Sequence, residues 1–129
     1  MIVIDGGSTD ESVEIIQKYE DSIDYWVSEK DNGQTHAINK GIHAATGEIV
    51  GWLNSDDIYL DDCLGKVMRV FQSSNSPNLV HGNRLLIDAE TSLLGWSCKG
   101  AFKPEKYYYN ICSETAFWKR RFNQEGHAV

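Results

Sequence analysis

Ile2-Val3-Ile4-Asp5-Gly6-Gly7-Ser8-Thr9-Asp10-Glu11 decides the class of this chain. A short β-branched run ends in an acidic residue and two glycines, the way a buried parallel strand delivers its carboxyl end to a loop. Ser8 and Glu11 stand at capping-box spacing, and Val13, Ile15, Ile16 and Tyr19 give a largely apolar face over the next two turns. The pattern predicts a strand, a glycine turn and a helix in immediate succession.

The same order recurs downstream. Ile23 to Ser28 carries the β-favouring cluster Tyr25-Trp26-Val27 and closes in the polar loop Glu29-Lys30-Asp31-Asn32-Gly33. From Gln34, residues Ala37, Ile38, Gly41, Ile42 and Ala45 recur at helical spacing, with Gly47 placed as a C-terminal cap. Glu48 to Leu53 predicts a third strand, which runs into Asn54-Ser55-Asp56-Asp57 before a helix marked by Leu64, Val67, Met68 and Phe71. Leu79 to Ile87 and Ser92 to Trp96 read as two strands around the turn Asp88-Ala89-Glu90-Thr91, in the manner of a hairpin. Phe102 to Tyr109 is aromatic and basic without a clear period, and Glu114 to Arg121 reads as a last strand or a helix start. The alternation predicts an α/β fold with a parallel sheet, right-handed crossovers and ligands at the carboxyl ends of the strands.

A length of 129 residues with 41% hydrophobic content fits one domain, 1–129, able to bury a core without staples. The formal net charge of −7 argues against gripping nucleic acid or anionic lipid by general attraction, so small ligands are the expected partners. Cys63, Cys98 and Cys112 are odd in number and widely spaced, which suggests neither a disulfide framework nor a zinc knuckle and fits a reducing, cytoplasmic setting. No apolar run approaches the roughly 20 residues that cross a bilayer.

Asp56 and Asp57, with Asn54 two residues before Asp56, set hard oxygen ligands at a strand end, where Mg²⁺ or Mn²⁺ would bridge them to a diphosphate. The same residue types also make turns and cap helices, so a turn that caps the third helix is the competing reading. Asp5 stands equally between a nucleoside contact and a local cap. Lys30, between strand and helix, is a phosphate contact or an exposed lysine without a role. Glu114, beside Thr115-Ala116-Phe117-Trp118, is a carboxylate for a sugar acceptor or simply a strand end. The glycines fit neither G-x-G-x-x-G nor a P-loop, and the histidines show no ligand spacing.

Taken together, Val3-Ile4-Asp5-Gly6-Gly7-Ser8-Thr9-Asp10, the stretch from Asn32 to Gly41, Ala45-Thr46-Gly47-Glu48-Ile49-Val50 and Trp52-Leu53-Asn54-Ser55-Asp56-Asp57-Ile58-Tyr59 resemble family 2 glycosyltransferases in order and spacing. Val80-His81-Gly82 and the stretch from Glu114 to Arg120 extend the resemblance over nearly the whole chain. It implies the Rossmann-like GT-A fold, a central mostly parallel sheet flanked by helices. It also implies a metal-dependent enzyme that transfers a sugar from a nucleotide-diphosphate donor to an acceptor hydroxyl with inversion, in building a surface polysaccharide or glycolipid. By position, Asp5 would contact the nucleoside, Asp56 would hold the cation as the last member of a D-x-D-like motif, and Asp57 would support it. The partners would be the nucleotide-sugar donor and a saccharide or lipid-linked acceptor.

Several positions depart from the family pattern. Gly6 stands where many members carry a second acidic residue, Asn54 replaces the first Asp of D-x-D, and His36 stands where relatives often carry an acidic residue. The resemblance further implies that a first strand and helix precede Met1 and that the general base lies beyond Val129. A sheet lacking that strand would expose an edge and favour a homodimer. The intact protein would be cytoplasmic or peripheral at the inner face of the membrane. The alternative is a non-catalytic nucleotide- or sugar-binding module of the same fold.

Overall fold

The computed structural model describes residues 1–97 and 112–121, and Phe102 to Tyr109, the general-base segment and Cys98 lie outside them. The chain forms two compact units, Met1–Gly47 and Glu48–Val129.

The first unit is a β-α-β unit followed by a helix. Strands β1 (Ile2–Asp5) and β2 (Tyr25–Ser28) pair in parallel, with Ile2 opposite Tyr25 and Asp5 opposite Ser28. Between them runs α1 (Ser12–Lys18). The capping box expected from Ser8 and Glu11 does not form: Ser8 turns back to Asp5, and Asp10 Oδ1 instead accepts the Ser12 amide at 3.0 Å. Helix α2 (Gln34–Ala44) packs on β1, with Gly41 so near that an added Cβ would sit 3.5 Å from Ile4. Ala45, in extended conformation, ends α2, so Gly47 is not its cap.

The second unit is built around its last strand. β3 (Ile49–Gly51) leads to α3 (Cys63–Phe71), and β4 (Leu79–His81) follows. A hairpin of β5 (Arg84–Ile87) and β6 (Leu93–Ser97) comes next, so the strand expected over Leu79 to Ile87 is broken at Gly82-Asn83. After a short 3₁₀ turn, Ser113–Thr115, β7 (Ala116–Lys119) enters between β3 and β4 and runs antiparallel to both. The mostly parallel central sheet is therefore found only in part. Among the described residues only β1 and β2 pair in parallel, and β7, with Ala116, Phe117 and Trp118 buried, takes the middle of the second sheet between two antiparallel neighbours. Val50 and Phe71 complete the core, and Phe71 belongs to the apolar face of α3 that the spacing predicts.

Candidate functional site

At the carboxyl end of β1, the Asp5 carboxylate is occupied by its own surroundings. Its Oδ2 accepts the Gly7 amide at 3.0 Å, the Ser8 amide at 2.9 Å and the Ser28 hydroxyl at 2.7 Å, and Oδ1 accepts the Ser8 hydroxyl at 2.5 Å. The hydroxyls of Ser28 and then Ser8 are the main cause that lowers its pKa from 3.8 to about 2. Asp5 thus orders the turn, as its capping reading expects, and ties β1 to β2 through the residue opposite it in register. Gly7 turns the chain at φ 86°, a left-handed value, and a Cβ there would meet the Lys30 backbone nitrogen at 3.2 Å.

Asp5→Asn should cost about 1–2 kcal/mol, at the low end of the roughly 1.5–3 kcal/mol of hydrogen bonds to a charged group because most of these bonds are solvent-exposed. A carboxylate held below its unfolded pKa stabilises the fold above that pKa and loses the contribution as it protonates. The advantage of the native protein over Asp5→Asn should therefore be full at neutral pH and shrink as pH falls from about 4 toward 2, as urea denaturation at pH 7 and pH 3 would show.

The loop after β2 is braced from both sides. The Glu29 amide donates to the Asp5 carbonyl at 3.1 Å, and the Glu29 carboxylate pairs with Lys40 of α2 at 2.7 Å, which also holds its pKa below the usual range. Lys30 is exposed in this loop, close to the start of α2. Asp31 fills the space above Gly6, where a Cβ would meet its Oδ2 at 2.6 Å, and its Oδ1 accepts the Gly33 amide at 2.8 Å. His36 accepts the Asn32 amide on Nδ1 at 3.1 Å and so takes part in shaping the loop.

In the second unit, β3 opens into the acidic loop. The Asp57 amide donates to the Asn54 carbonyl at 3.2 Å, so the turn is real, but α3 starts only at Cys63, after Asp62 in the left-handed region. The loop therefore does not cap the third helix. The Asn54 amide nitrogen donates to Asp57 Oδ2 at 2.9 Å, while Asp56 is exposed and engages no side chain among the described residues. Tyr59 closes the loop: its hydroxyl donates to the Trp52 carbonyl at 3.4 Å, and its ring lies 5.5 Å from that of Phe117. Burial raises the Tyr59 pKa.

Among the described residues, no cluster of three or more His, Cys, Asp or Glu side chains is arranged to hold a metal ion. Asp56, Asp57 and Asn54 share this loop and carry hard oxygens, the donor type that Mg²⁺ and Mn²⁺ take. Glu114 lies in the 3₁₀ turn before β7, facing Arg84 across 3.8 Å. Sequence reasoning missed Ser28, Asp31, Tyr59 and Arg84. Only Ser28 leaves a legible signal, a hydroxyl residue ending the strand that runs parallel to the one Asp5 ends.

The model for the family described as glycosyl transferase family 2 matches residues 1–128. A PGL/p-HBAD biosynthesis glycosyltransferase of Mycobacterium tuberculosis is 28% identical over 126 residues, 93% of this chain and 47% of the relative. An uncharacterized glycosyltransferase of Haemophilus influenzae is 34% identical over 93 residues, 70% of this chain and 37% of the relative. One of Nostoc is 32% identical over 84 residues, 63% of this chain and 26% of the relative. The chain spans less than half the length of each of these relatives.

Proposed function

The chain belongs to glycosyl transferase family 2, and from that membership we propose that it is the donor-binding part of an enzyme that transfers a sugar from a nucleotide diphosphate to an acceptor hydroxyl with inversion. Membership implies the GT-A fold, with which the α/β elements agree. The observation that carries the reading further is the exposed Asp56 carboxylate, beside an Asn54–Asp57 pair that holds the loop in shape.

Asp56 is the principal cation ligand on this reading, with Asp57 and the Asn54 carbonyl oxygen beside it. A bound Mg²⁺ or Mn²⁺ supplies charge neutralisation to the departing diphosphate. The residues of the chain do the rest of the positioning. Asp5 presents the remaining lone pairs of a carboxylate that stays ionised to the nucleoside, and Lys30 offers a cation to the phosphates. Glu114 is assigned to the acceptor side, and the general base to a carboxylate beyond Val129 in the whole protein. The acceptor is a saccharide or a lipid-linked molecule in the building of a surface polysaccharide or glycolipid, a direction supported by the name of the mycobacterial relative, a PGL/p-HBAD biosynthesis glycosyltransferase.

Donor binding tests the reading. Thermal shifts with UDP-, GDP- and TDP-sugars should appear with Mn²⁺ and vanish with chelator; no shift from any donor would count against it.

The reading extends to the setting of the protein. Among the described residues no helix is long and apolar enough to cross a membrane. We place the protein in the cytoplasm or at the inner face of the membrane, on the strength of odd and widely spaced cysteines. Self-association is expected as well, because among the described residues β1 and β2 pair only with each other, and Ile15, Tyr19 and Tyr25 of the same unit are exposed. Light scattering should show a mass rising above 14.6 kDa with concentration, and a constant 14.6 kDa would exclude the dimer.

A further inference from the structure

At the carboxyl edge of β1 and β2, one carboxylate oxygen is fixed in place and left open. It does not belong to Asp5, whose Oδ2 already accepts the Gly7 and Ser8 amides and the Ser28 hydroxyl while Oδ1 accepts the Ser8 hydroxyl, close to the capacity of a carboxylate. Asp31, in the loop after β2, differs. Its Oδ1 accepts the Gly33 amide at 2.8 Å, which orients the side chain, and Oδ2 accepts no hydrogen bond among the described residues. Asp31 is half-buried, and Oδ2 is not one of the polar atoms sealed from solvent without a partner.

Two glycines make room for this arrangement. The Glu29 amide donates to the Asp5 carbonyl at 3.1 Å, so the loop after β2 is pinned to the end of β1. Gly7 lets the Lys30 backbone approach, and Gly6 lets the Asp31 carboxylate approach: a Cβ on Gly6 would stand 2.6 Å from Oδ2, closer than atoms pack. The open acceptor thus sits at the strand ends where α/β sheets bind their ligands. In dinucleotide-binding β-α-β units, a carboxylate about 20 residues past the glycine turn bonds a ribose hydroxyl. Asp31 stands at a comparable remove from Gly6 and Gly7.

We propose that Asp31 is a specificity-determining residue for the donor, its Oδ2 accepting a hydrogen bond from the nucleoside. The inference rests on the glycosyltransferase reading and deepens it by adding a contact beside Asp5. A carboxylate only accepts, so its partner is an O–H or N–H group and not a phosphate, whose charge it repels. Lys30, the residue before it, has the opposite preference, so adjacent side chains sort the nucleoside from the diphosphate. On the nucleoside, the groups of the right kind are the ribose hydroxyls and the ring N–H that uracil and guanine carry where cytosine and adenine have a bare nitrogen.

Titration calorimetry on the whole chain with Mn²⁺ tests this, using UDP, GDP, CDP and ADP and the 2′-deoxy forms of UDP and GDP. UDP or GDP should bind. Removing the 2′-hydroxyl, or exchanging the base for cytosine or adenine, should weaken binding about tenfold, the scale of one hydrogen bond to a charged group. The deoxy arm assigns the contact to the ribose and the base arm to the ring N–H. Asp31→Asn keeps an oxygen for the Gly33 amide but turns the open acceptor into a donor, so it should bind the preferred nucleotide about tenfold more weakly and lose the discrimination.

Gly6→Ala tests the geometry independently. Gly6 is not among the glycines with positive φ, so alanine fits its backbone, and the new Cβ must displace the Asp31 carboxylate. Discrimination should fall in this variant too, and combining it with Asp31→Asn should add little, as expected of two changes that act on one contact. Circular dichroism checks folding. A native protein that binds all the nucleotides alike, or a discrimination that survives in both variants, would overturn the contact and leave the donor reading standing. No binding of any nucleotide by the native protein would overturn both.

Discussion

Asp56→Ala is expected to abolish the metal-dependent thermal shift with nucleotide sugars and to lower sugar transfer by the whole protein about 100- to 1,000-fold. That is the scale observed when one group that stabilises developing charge in a transition state is removed. The fold should not notice. Asp56 is exposed and engages no side chain among the described residues, so unliganded stability should stay within about 0.5 kcal/mol of native. Asp57→Ala should separate the two roles. It removes the Asp57 Oδ2 acceptor of the Asn54 amide, and supporting groups of this kind are worth about 10- to 100-fold in metal affinity or activity. Equal donor shifts in native protein and Asp56→Ala would remove Asp56 from the site.

Phe117→Ala should be the most damaging change to stability, at about 3–5 kcal/mol, the range for aromatic truncation in a core. Phe117 is 6% exposed on the central strand of the second sheet. Its ring lies 5.5 Å from that of Tyr59, and so close to Gly51 that any added Cβ there would collide with it. The consequence reaches beyond the core, because Tyr59 closes the loop that carries Asp56. Hydrogen exchange should accordingly rise at 52–59 in the variant, and urea denaturation gives its stability directly. Phe117→Leu, which keeps most of the apolar volume, should lose much less in both measurements. A cost under about 1 kcal/mol for Phe117→Ala would mean that the ring is not part of a packed core.

How far the chain could be read without coordinates is clearest at particular residues. The first unit follows its periodicity closely: β1, α1, β2 and α2 all form near the positions that apolar spacing and glycine turns indicate. Such signals are local, and the β-α-β unit is built from local order. Alternation of strands and helices predicts a parallel sheet, but the partner of β3 is an antiparallel strand far along the chain, and strand pairing at long separation leaves no period in the sequence.

The site shows the same division. Position after a strand pointed to Asp5, Asn54, Asp56 and Asp57, yet residue type alone left metal ligand and helix cap equivalent. The distance to Cys63 decides against the cap. Asp31 above Gly6, Arg84 opposite Glu114 and Tyr59 against Phe117 were invisible, because each is a contact between segments separated in sequence and none has a motif of its own.

The late entry of β7 has a consequence for biosynthesis. Asp5 meets Ser28 across 23 residues, so the first unit can close its strands while the chain is still short. Ile49 must wait for Lys119, a separation of roughly 70 residues, and loop closure must precede any gain from such distant pairs. At ribosomal rates of about 5–20 residues per second, β3 and β4 spend several seconds with the flanks later filled by Phe117 and Trp118 open. During that interval the nascent second unit is the part that a chaperone would hold and that crowding neighbours would capture. The first unit by then already has its shape.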